Sequence, residues 1–300
     1  MKLKKMTTNV KFGLYLMTSK GLATLQSFIA NISANYISYI VVAQDRNVTN
    51  DYYDEIVVLA NSLGIPVYER SQTLPYASHL IAVSWRWLIE ANSDQKLIVF
   101  HDSLLPRYRG FSPLPSALIN GDGLIGVTAL MASEEYDRGP VIAQKAVEIS
   151  YPISISKAIE LLEPCYQKLA IEVANSILRG DMVSTAQNEA DATYSIWRDE
   201  QDYFIDWNLD AERIKRFIDA LGFPYKGAAT TLEGETFRIR ECETLPDVHI
   251  ENRSAGKVIF MHGYCPIVVC GTGLLKIQVM NKEGFTDNAL PIKKFRSRFV

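Results

Sequence analysis

Lys96-Leu97-Ile98-Val99-Phe100-His101-Asp102-Ser103-Leu104-Leu105-Pro106-Arg107-Tyr108-Arg109-Gly110 is the stretch from which the fold is read. Lys96 to Phe100 has the length and apolar texture of a short buried strand, and His101 stands at its C-terminal end before a polar turn. Upstream, Val10 to Met17 reads as another buried strand, and Thr18 or Ser19 is placed to cap a helix running to about Asn31. Ile37 to Ala43 is a second β-branched run. Asp51 to Leu63 has a helical pattern, and Gly64 just past it suits a C-terminal cap. Pro66 to Tyr68 and His79 to Ser84 supply further short strands. Strand and helix alternating with short links predict an α/β, Rossmann-like domain whose parallel sheet is covered on both faces. Its ligands are expected beyond the C-terminal strand ends, where the strand order reverses.

Downstream, a helix is expected near Pro113 to Ile119, with strands over Gly126 to Met131 and Val141 to Val147. A long helix follows from Ser154 to Arg179, which Pro164 is expected to kink or divide. Residues 181–200 are polar. From Gln201 the texture changes to one helix, Ala211 to Leu221, and several short runs: Gly227 to Thr231, Thr236 to Cys242, Ile267 to Cys270 and Leu274 to Met280. Short strands with Gly-rich turns predict a smaller C-terminal α+β, OB-like domain, as a small barrel or open sheet. The expected division is 1–185 for the Rossmann-like part, 186–203 for a linker and 204–300 for the accessory part.

Composition narrows the class. The 300 residues are 48% hydrophobic and 22% charged with a net charge of −3, which excludes a disordered, collagen-like or disulfide-scaffold chain. No apolar run approaches the ~20 residues that cross a bilayer, and the first ten residues are polar and lysine-bearing, so neither a membrane span nor a signal peptide is expected. Cys165, Cys242, Cys265 and Cys270 lack metal-type spacing and fit reduced thiols in the cytoplasm; no metal is expected.

The candidate chemistry lies between Val99 and Gln144. A histidine at a strand end exchanges protons near neutral pH, so His101 is a candidate general base. Asp137, in the run Glu134-Glu135-Tyr136-Asp137-Arg138-Gly139-Pro140-Val141-Ile142, is placed to pair with it. Spacing alone leaves a second reading open, a satisfied structural histidine and a turn-forming aspartate.

His101 to Gly110, Gly126-Val127-Thr128 and Asp137 to Ile142 together resemble the folate-dependent formyltransferases, a family that includes methionyl-tRNA formyltransferase, glycinamide ribonucleotide transformylase and the sugar N-formyltransferases. Ile205-Asp206-Trp207 and Ala220-Leu221-Gly222-Phe223-Pro224-Tyr225-Lys226-Gly227-Ala228 resemble the opening of the second domain of the tRNA and sugar enzymes. The resemblance implies formyl transfer from 10-formyltetrahydrofolate to an amine, through a tetrahedral oxyanion that needs donors aimed at it. It implies His101 as oxyanion stabiliser or proton shuttle, with Asp137 holding it and helping to protonate the departing folate nitrogen. It implies a pterin slot between Trp85, Arg86, Trp87 and Leu88 on one side and Glu134 and Tyr136 on the other; for Trp85 and Trp87 plain core packing is the alternative. The family's Asn two residues before the histidine is Val99 here, so one oxyanion donor is missing, a loss typically worth about 2.7–4 kcal/mol.

For the acceptor, the tRNA enzyme's lysine-rich insertion corresponds to Asp45-Arg46-Asn47-Val48-Thr49-Asn50-Asp51, with one basic residue. From Gln201 onward there are 14 basic and 13 acidic residues, no excess with which to track nucleic acid. The resemblance then implies a nucleotide-linked amino sugar, a dTDP- or UDP-4-amino-4,6-dideoxyhexose for a surface glycan such as lipopolysaccharide. Arg107 and Arg109 would meet its diphosphate, and Ser103, Tyr225 and Lys226 would complete the contacts. Alternatives are another amine such as methionyl-tRNA, or a non-catalytic folate-binding homologue because of Val99. Sugar enzymes of this type often form homodimers.

Overall fold

The structure, a computed structural model, describes residues 10–300; most of the lysine-bearing start read above, residues 1–9, lies outside the described residues. In chain order the first half runs β1 (Phe12–Leu16), α1 (Thr18–Asn31), β2 (Ile37–Val42), α2 (Tyr53–Ser62), β3 (Val67–Glu69), β4 (His79–Val83) and β5 (Lys96–His101). It continues through β6 (Arg109–Gly110), α3 (Pro113–Asn120), β7 (Leu124–Met131), β8 (Val141–Glu148) and α4 (Ile155–Arg179). Seven of these strands form one sheet in the order β3-β2-β1-β4-β5-β7-β8. The order reverses at β1, which pairs with β2 on one side and β4 on the other.

The sheet is mixed rather than parallel. β1 to β5 are parallel neighbours, but β7 runs antiparallel to both β5 and β8. A parallel β7 would need a crossover back over the sheet, and the short helix α3 does not supply one. Nor do helices cover both faces. Alternation along the strands sends Leu14, Leu16, Ile40, Val42, Ile81 and Val83 into one core with the four helices. The opposite face carries Tyr15, Tyr39, Val41, Leu80 and Ala82, over which Leu74, Ala77, Trp85 and Ile89 pack from non-helical segments.

Pro164 does not divide α4, which runs unbroken for 25 residues. The proline sits on the exposed side, where water can satisfy the Glu160 carbonyl it leaves free, while Leu162, Cys165, Tyr166 and Leu169 bury the other face. The expected hydroxyl cap of α1 is also absent. Met17 takes the cap position with no side-chain bond, and the Thr18 hydroxyl goes to Ser84 Oγ at 3.2 Å.

Residues 186–203 join the two sheets and include β9 (Tyr194–Ser195), which pairs with β6. Beyond them come α5 (Ala211–Ala220), β10 (Ala228–Leu232), β11 (Glu235–Leu245), β12 (Val258–His262), β13 (Cys265–Val269) and β14 (Leu274–Lys282). These five strands form an antiparallel sheet in the order β10-β11-β14-β13-β12 around Trp207, Ile214, Ile239, Leu275 and Phe299. Residues 297–300 bridge its two edges: Val300 pairs with Thr231 of β10, and the Val258 N–H at the head of β12 donates to the Ser297 carbonyl. The sheet thus curls toward closure, as the OB-like expectation required. Thr49 N donates to the Pro224 carbonyl at 3.0 Å and Arg216 Nε to the Ile119 carbonyl at 3.1 Å, tying the two parts together.

Candidate functional site

β1, β4 and β5 end level with one another, Leu16 opposite Val83 and Val83 opposite Phe100. A cavity of 1270 Å³ opens over these ends at the reversal of strand order, and its lining includes Lys20, Trp85, Val99, His101, Asp137 and Tyr225. Of the eight non-glycine residues with positive φ among the described residues, five line it: Thr18, Tyr52, Ser84, Ser112 and Asp137. Backbone strain of this kind persists only where the surroundings impose it, and it gathers at functional rims.

His101 is buried at 7% exposure. Its Nε2 lies 2.8 Å from the Tyr108 carbonyl oxygen, which can only accept, so Nε2 carries the proton. That leaves Nδ1 as the working nitrogen, 3.5 Å from Asp137 Oδ1. A lone pair facing a carboxylate is not attractive; the pair closes once Nδ1 takes up a proton. Asp137 is held by two hydrogen bonds and its loop by a third. Its Oδ2 accepts the Gly110 N–H at 2.8 Å, its carbonyl accepts Gln187 Nε2 at 2.7 Å, and the same Nε2 reaches the Gly139 carbonyl at 2.8 Å. Behind Gln187 stands Arg109, whose Nε and Nη2 donate to Gln187 Oε1 at 3.1 and 2.8 Å.

The turn after His101 is fastened to β7. Thr128 Oγ1 donates to the Ser103 carbonyl at 2.6 Å and accepts the Leu105 N–H at 3.1 Å. Gly126 leaves room for Leu104, whose Cδ2 would stand 2.4 Å from any added Cβ. The Gly-Val-Thr run therefore shapes the loop that carries the histidine.

Three expected substrate contacts are engaged elsewhere. The Ser103 hydroxyl donates to the Arg107 carbonyl within its own turn at 2.6 Å. Arg107 reaches away from the cavity to Asp122 Oδ2 at 2.9 Å. Arg109 is 1% exposed, its fork spread over Glu189 at 2.7 and 2.8 Å. A guanidinium already holding a carboxylate in two bonds has little left for a diphosphate. The remaining expected residues do line the cavity: Trp85, Arg86, Trp87, Leu88, Glu134, Tyr136, Tyr225 and Lys226. Trp85 and Trp87 meet edge to face at 5.3 Å, and the buried Trp85 Nε1 has no hydrogen-bond partner. Arg86 is paired with Asp45 and Lys226 with Glu200.

Asp102, the residue after His101, finds its partners on distant helices. Lys20 from α1 and Tyr166 from α4 both bond its carboxylate, beside the Phe100 ring. Burial pushes the Asp102 carboxyl up, but Lys20, Tyr166 and His101 outweigh this and hold it below its ordinary value. Burial and the same carboxylate push Tyr166 well above its ordinary value. Val99, two residues before His101 on the same strand face, presents only methyl groups to the cavity. Among the described residues, no group of three or more His, Cys, Asp or Glu is placed to hold a metal, and no helix is long and apolar enough to cross a membrane.

The formyl transferase family matches residues 87–161, and the formyl transferase C-terminal domain matches residues 198–297. The chain belongs to the formyltransferase family. It is 31% identical over 188 residues to the methionyl-tRNA formyltransferase of Nitrosomonas europaea, covering 62% of this chain and 58% of that protein. The Lactococcus lactis enzyme of the same name is 32% identical over 184 residues, covering 61% and 57%. The chain thus spans under two thirds of the length of these curated relatives. Among solved structures, the sugar 3N-formyl transferase WlaRD, crystallised with dTDP and 5-N-formyl-THF, has a TM-score of 0.65 at 15% identity, covering 92% of this chain and 99% of that one. The Helicobacter canadensis N-formyltransferase, solved with folinic acid and dTDP-3-aminofucose, has a TM-score of 0.63 at 14% identity, covering 89% and 99%. At such identities the likeness is one of fold.

Proposed function

We propose that the chain is a folate-dependent N-formyltransferase that moves the formyl group of 10-formyltetrahydrofolate onto the amine of a nucleotide-linked amino sugar. The observation that carries this reading is the His101–Asp137 pair, 3.5 Å apart, on the floor of the large strand-end cavity. The lining suits a pterin, with flat aromatic walls at Trp85 and Trp87 and a buried indole N–H lacking any acceptor.

When bound, 10-formyltetrahydrofolate supplies an activated formyl carbon. The amine forms a new C–N bond as the bond from that carbon to the folate nitrogen breaks, so the amine sheds one proton and the departing nitrogen gains one. His101 Nδ1 accepts the first, because Nε2 is committed to the Tyr108 carbonyl. Asp137 stabilises the resulting imidazolium, and the pair returns the proton to the departing nitrogen. Such proton handling contributes about 10²–10⁴ in rate.

The sugar acceptor is supported by the near-neutral balance of the second half, 14 basic against 13 acidic residues. It is also supported by the 45–51 loop, which packs through Thr49 on Pro224 instead of extending toward an RNA. We assign catalysis to residues 1–185, joining to 186–203 and an accessory role to 204–300, in a cytoplasmic enzyme serving a surface glycan. Two further readings each rest on an observation: methionyl-tRNA as acceptor on the names of the curated relatives, and folate binding without turnover on Val99. Incubation with 10-formyltetrahydrofolate and either dTDP- and UDP-amino sugars or methionyl-tRNA, following tetrahydrofolate release, separates the three. Release with an amino sugar is expected; release only with methionyl-tRNA, or binding with no release, replaces this reading by the corresponding one.

A further inference from the structure

Arg198 lies in the segment that joins the two sheets, just before the single turn Gln201–Tyr203, and it lines the cavity that holds His101 and Asp137. Its Nε is buried and has no hydrogen-bond partner. Among the described residues no carboxylate lies within 4.0 Å of its guanidinium, and no side-chain or backbone oxygen accepts from it. Arg86, the other arginine of the lining, is engaged with Asp45, and Arg238, over the Tyr203 ring, with Glu283. Asp202, whose field favours the Arg198 cation, has turned its Oδ2 to the Asp199 N–H at 2.8 Å. Burial correspondingly lowers the Arg198 guanidinium from its ordinary value, with Asp202 and Tyr203 opposing.

A partly buried guanidinium with an unmet donor is costly to keep, and proteins tolerate it where a ligand completes the bonds. The natural complement of that planar fork is a phosphate or carboxylate. Beside it in the lining stand Trp197, 62% exposed, and the rings of Tyr203 and Tyr225, flat surfaces suited to a nucleobase. Arg107 and Arg109, the cations first expected at a diphosphate, are turned away from the cavity.

We propose that Arg198 is the anion-binding residue of the acceptor site, taking the diphosphate of a nucleoside diphosphate while the neighbouring aromatic rings face its base. The assignment rests on the sugar-nucleotide reading above and specifies it. It predicts that dTDP or UDP alone, with no sugar and no folate, binds the free protein.

The test is titration calorimetry of the whole chain with dTDP and UDP, in wild type, Arg198→Gln and Arg198→Lys, with 5-formyltetrahydrofolate titrated into each protein separately. Loss of a charged hydrogen-bonding group is expected to weaken nucleotide binding about 10- to 100-fold in Arg198→Gln, and less in Arg198→Lys. Folate affinity is expected to stay unchanged, which also shows that the variants are folded. Nucleoside diphosphate affinity equal in wild type and Arg198→Gln overturns the assignment. So does a wild type that binds neither nucleotide but binds methionyl-tRNA. Failure to bind folate, with nucleotide binding still dependent on Arg198, sinks the formyl-transfer reading and leaves the nucleotide site standing.

Discussion

Gly139→Ala is the sharpest lever on the candidate site, because it touches no reacting group. A Cβ added at Gly139 would stand 1.7 Å from the Met131 carbonyl oxygen, where an ordinary contact is 3.4 Å or more. Met131 cannot retreat. Its strand is paired with β5 and β8, and the next residue, Ala132, donates to the Leu97 carbonyl at 2.9 Å. The loop 132–139 must therefore shift by more than an ångström, carrying Asp137 with it. Three hydrogen bonds loosen together: the Gly110 N–H to Asp137 Oδ2, and Gln187 Nε2 to the Asp137 and Gly139 carbonyls. A displacement of about 1 Å in a positioned group costs on the order of 100-fold in rate. The clash and the weakened bonds cost about 2–4 kcal/mol in stability. The assay is the steady-state rate of tetrahydrofolate release at saturating acceptor, beside a chemical unfolding curve. Gly123→Ala serves as control, since a Cβ there meets nothing within 4 Å. Because the damage is routed through Asp137, adding Gly139→Ala to Asp137→Asn should cost little further rate. A Gly139→Ala enzyme with near wild-type kcat would refute the claim that this loop fixes the Asp137 carboxylate.

Other expectations follow from the same contacts. Burial, with a smaller contribution from Lys96, lowers the His79 imidazole from 6.5 to about 4. Between those values the unfolded chain binds a proton that the folded chain does not, so stability should fall as the pH drops from about 6.5 toward 4 and be flat above that window. The shift sets a ceiling of about 3 kcal/mol, and solvent screening of a partly exposed ring reduces this to about 1–2 kcal/mol; urea unfolding of His79→Gln should lose that slope. Lys20→Met leaves the Asp102 carboxylate with Tyr166 as its remaining bonding partner and should destabilise the fold by about 3 kcal/mol at pH 7, less in acid where Asp102 protonates; a pH-independent loss would contradict the ion pair. Val99→Asn restores a side-chain donor on the His101 face of β5 and should raise kcat or leave it unchanged; a large fall would mean the cavity is built around the valine.

Much of this architecture was legible in the chain. β1, β2, β4 and β5 lie within a residue or two of their apolar runs, because a strand buried on both faces reads as continuous hydrophobicity. His101 and Asp137 were legible from their place in two dense motifs. β12 was not, since Ile259 to His262 are only partly buried or exposed and carry no alternation that a strand reading could use. The direction of β7 was hidden as well, for an apolar run does not say which way it lies beside its neighbour. The hardest part was the support behind the site. Lys20 meets Asp102 across 82 residues of chain, Tyr166 meets it across 64, and Gln187 reaches Asp137 across 50. Local pattern carries no trace of such pairings. Arg109 illustrates the cost: a basic residue beside a predicted site looks like a ligand contact until its own burial and its carboxylate partner Glu189 are seen.

The most direct test of the central claim is a single-turnover experiment with 10-formyltetrahydrofolate labelled in the formyl carbon, enzyme in excess, and a dTDP- or UDP-linked amino sugar as acceptor. Wild type should move the label onto the sugar amine. His101→Gln and Asp137→Asn should bind folate with unchanged affinity yet transfer the label about 10²–10⁴ times more slowly. Transfer at wild-type rate in either variant, or a wild type that binds folate and never releases its formyl group to any amine, would contradict the account.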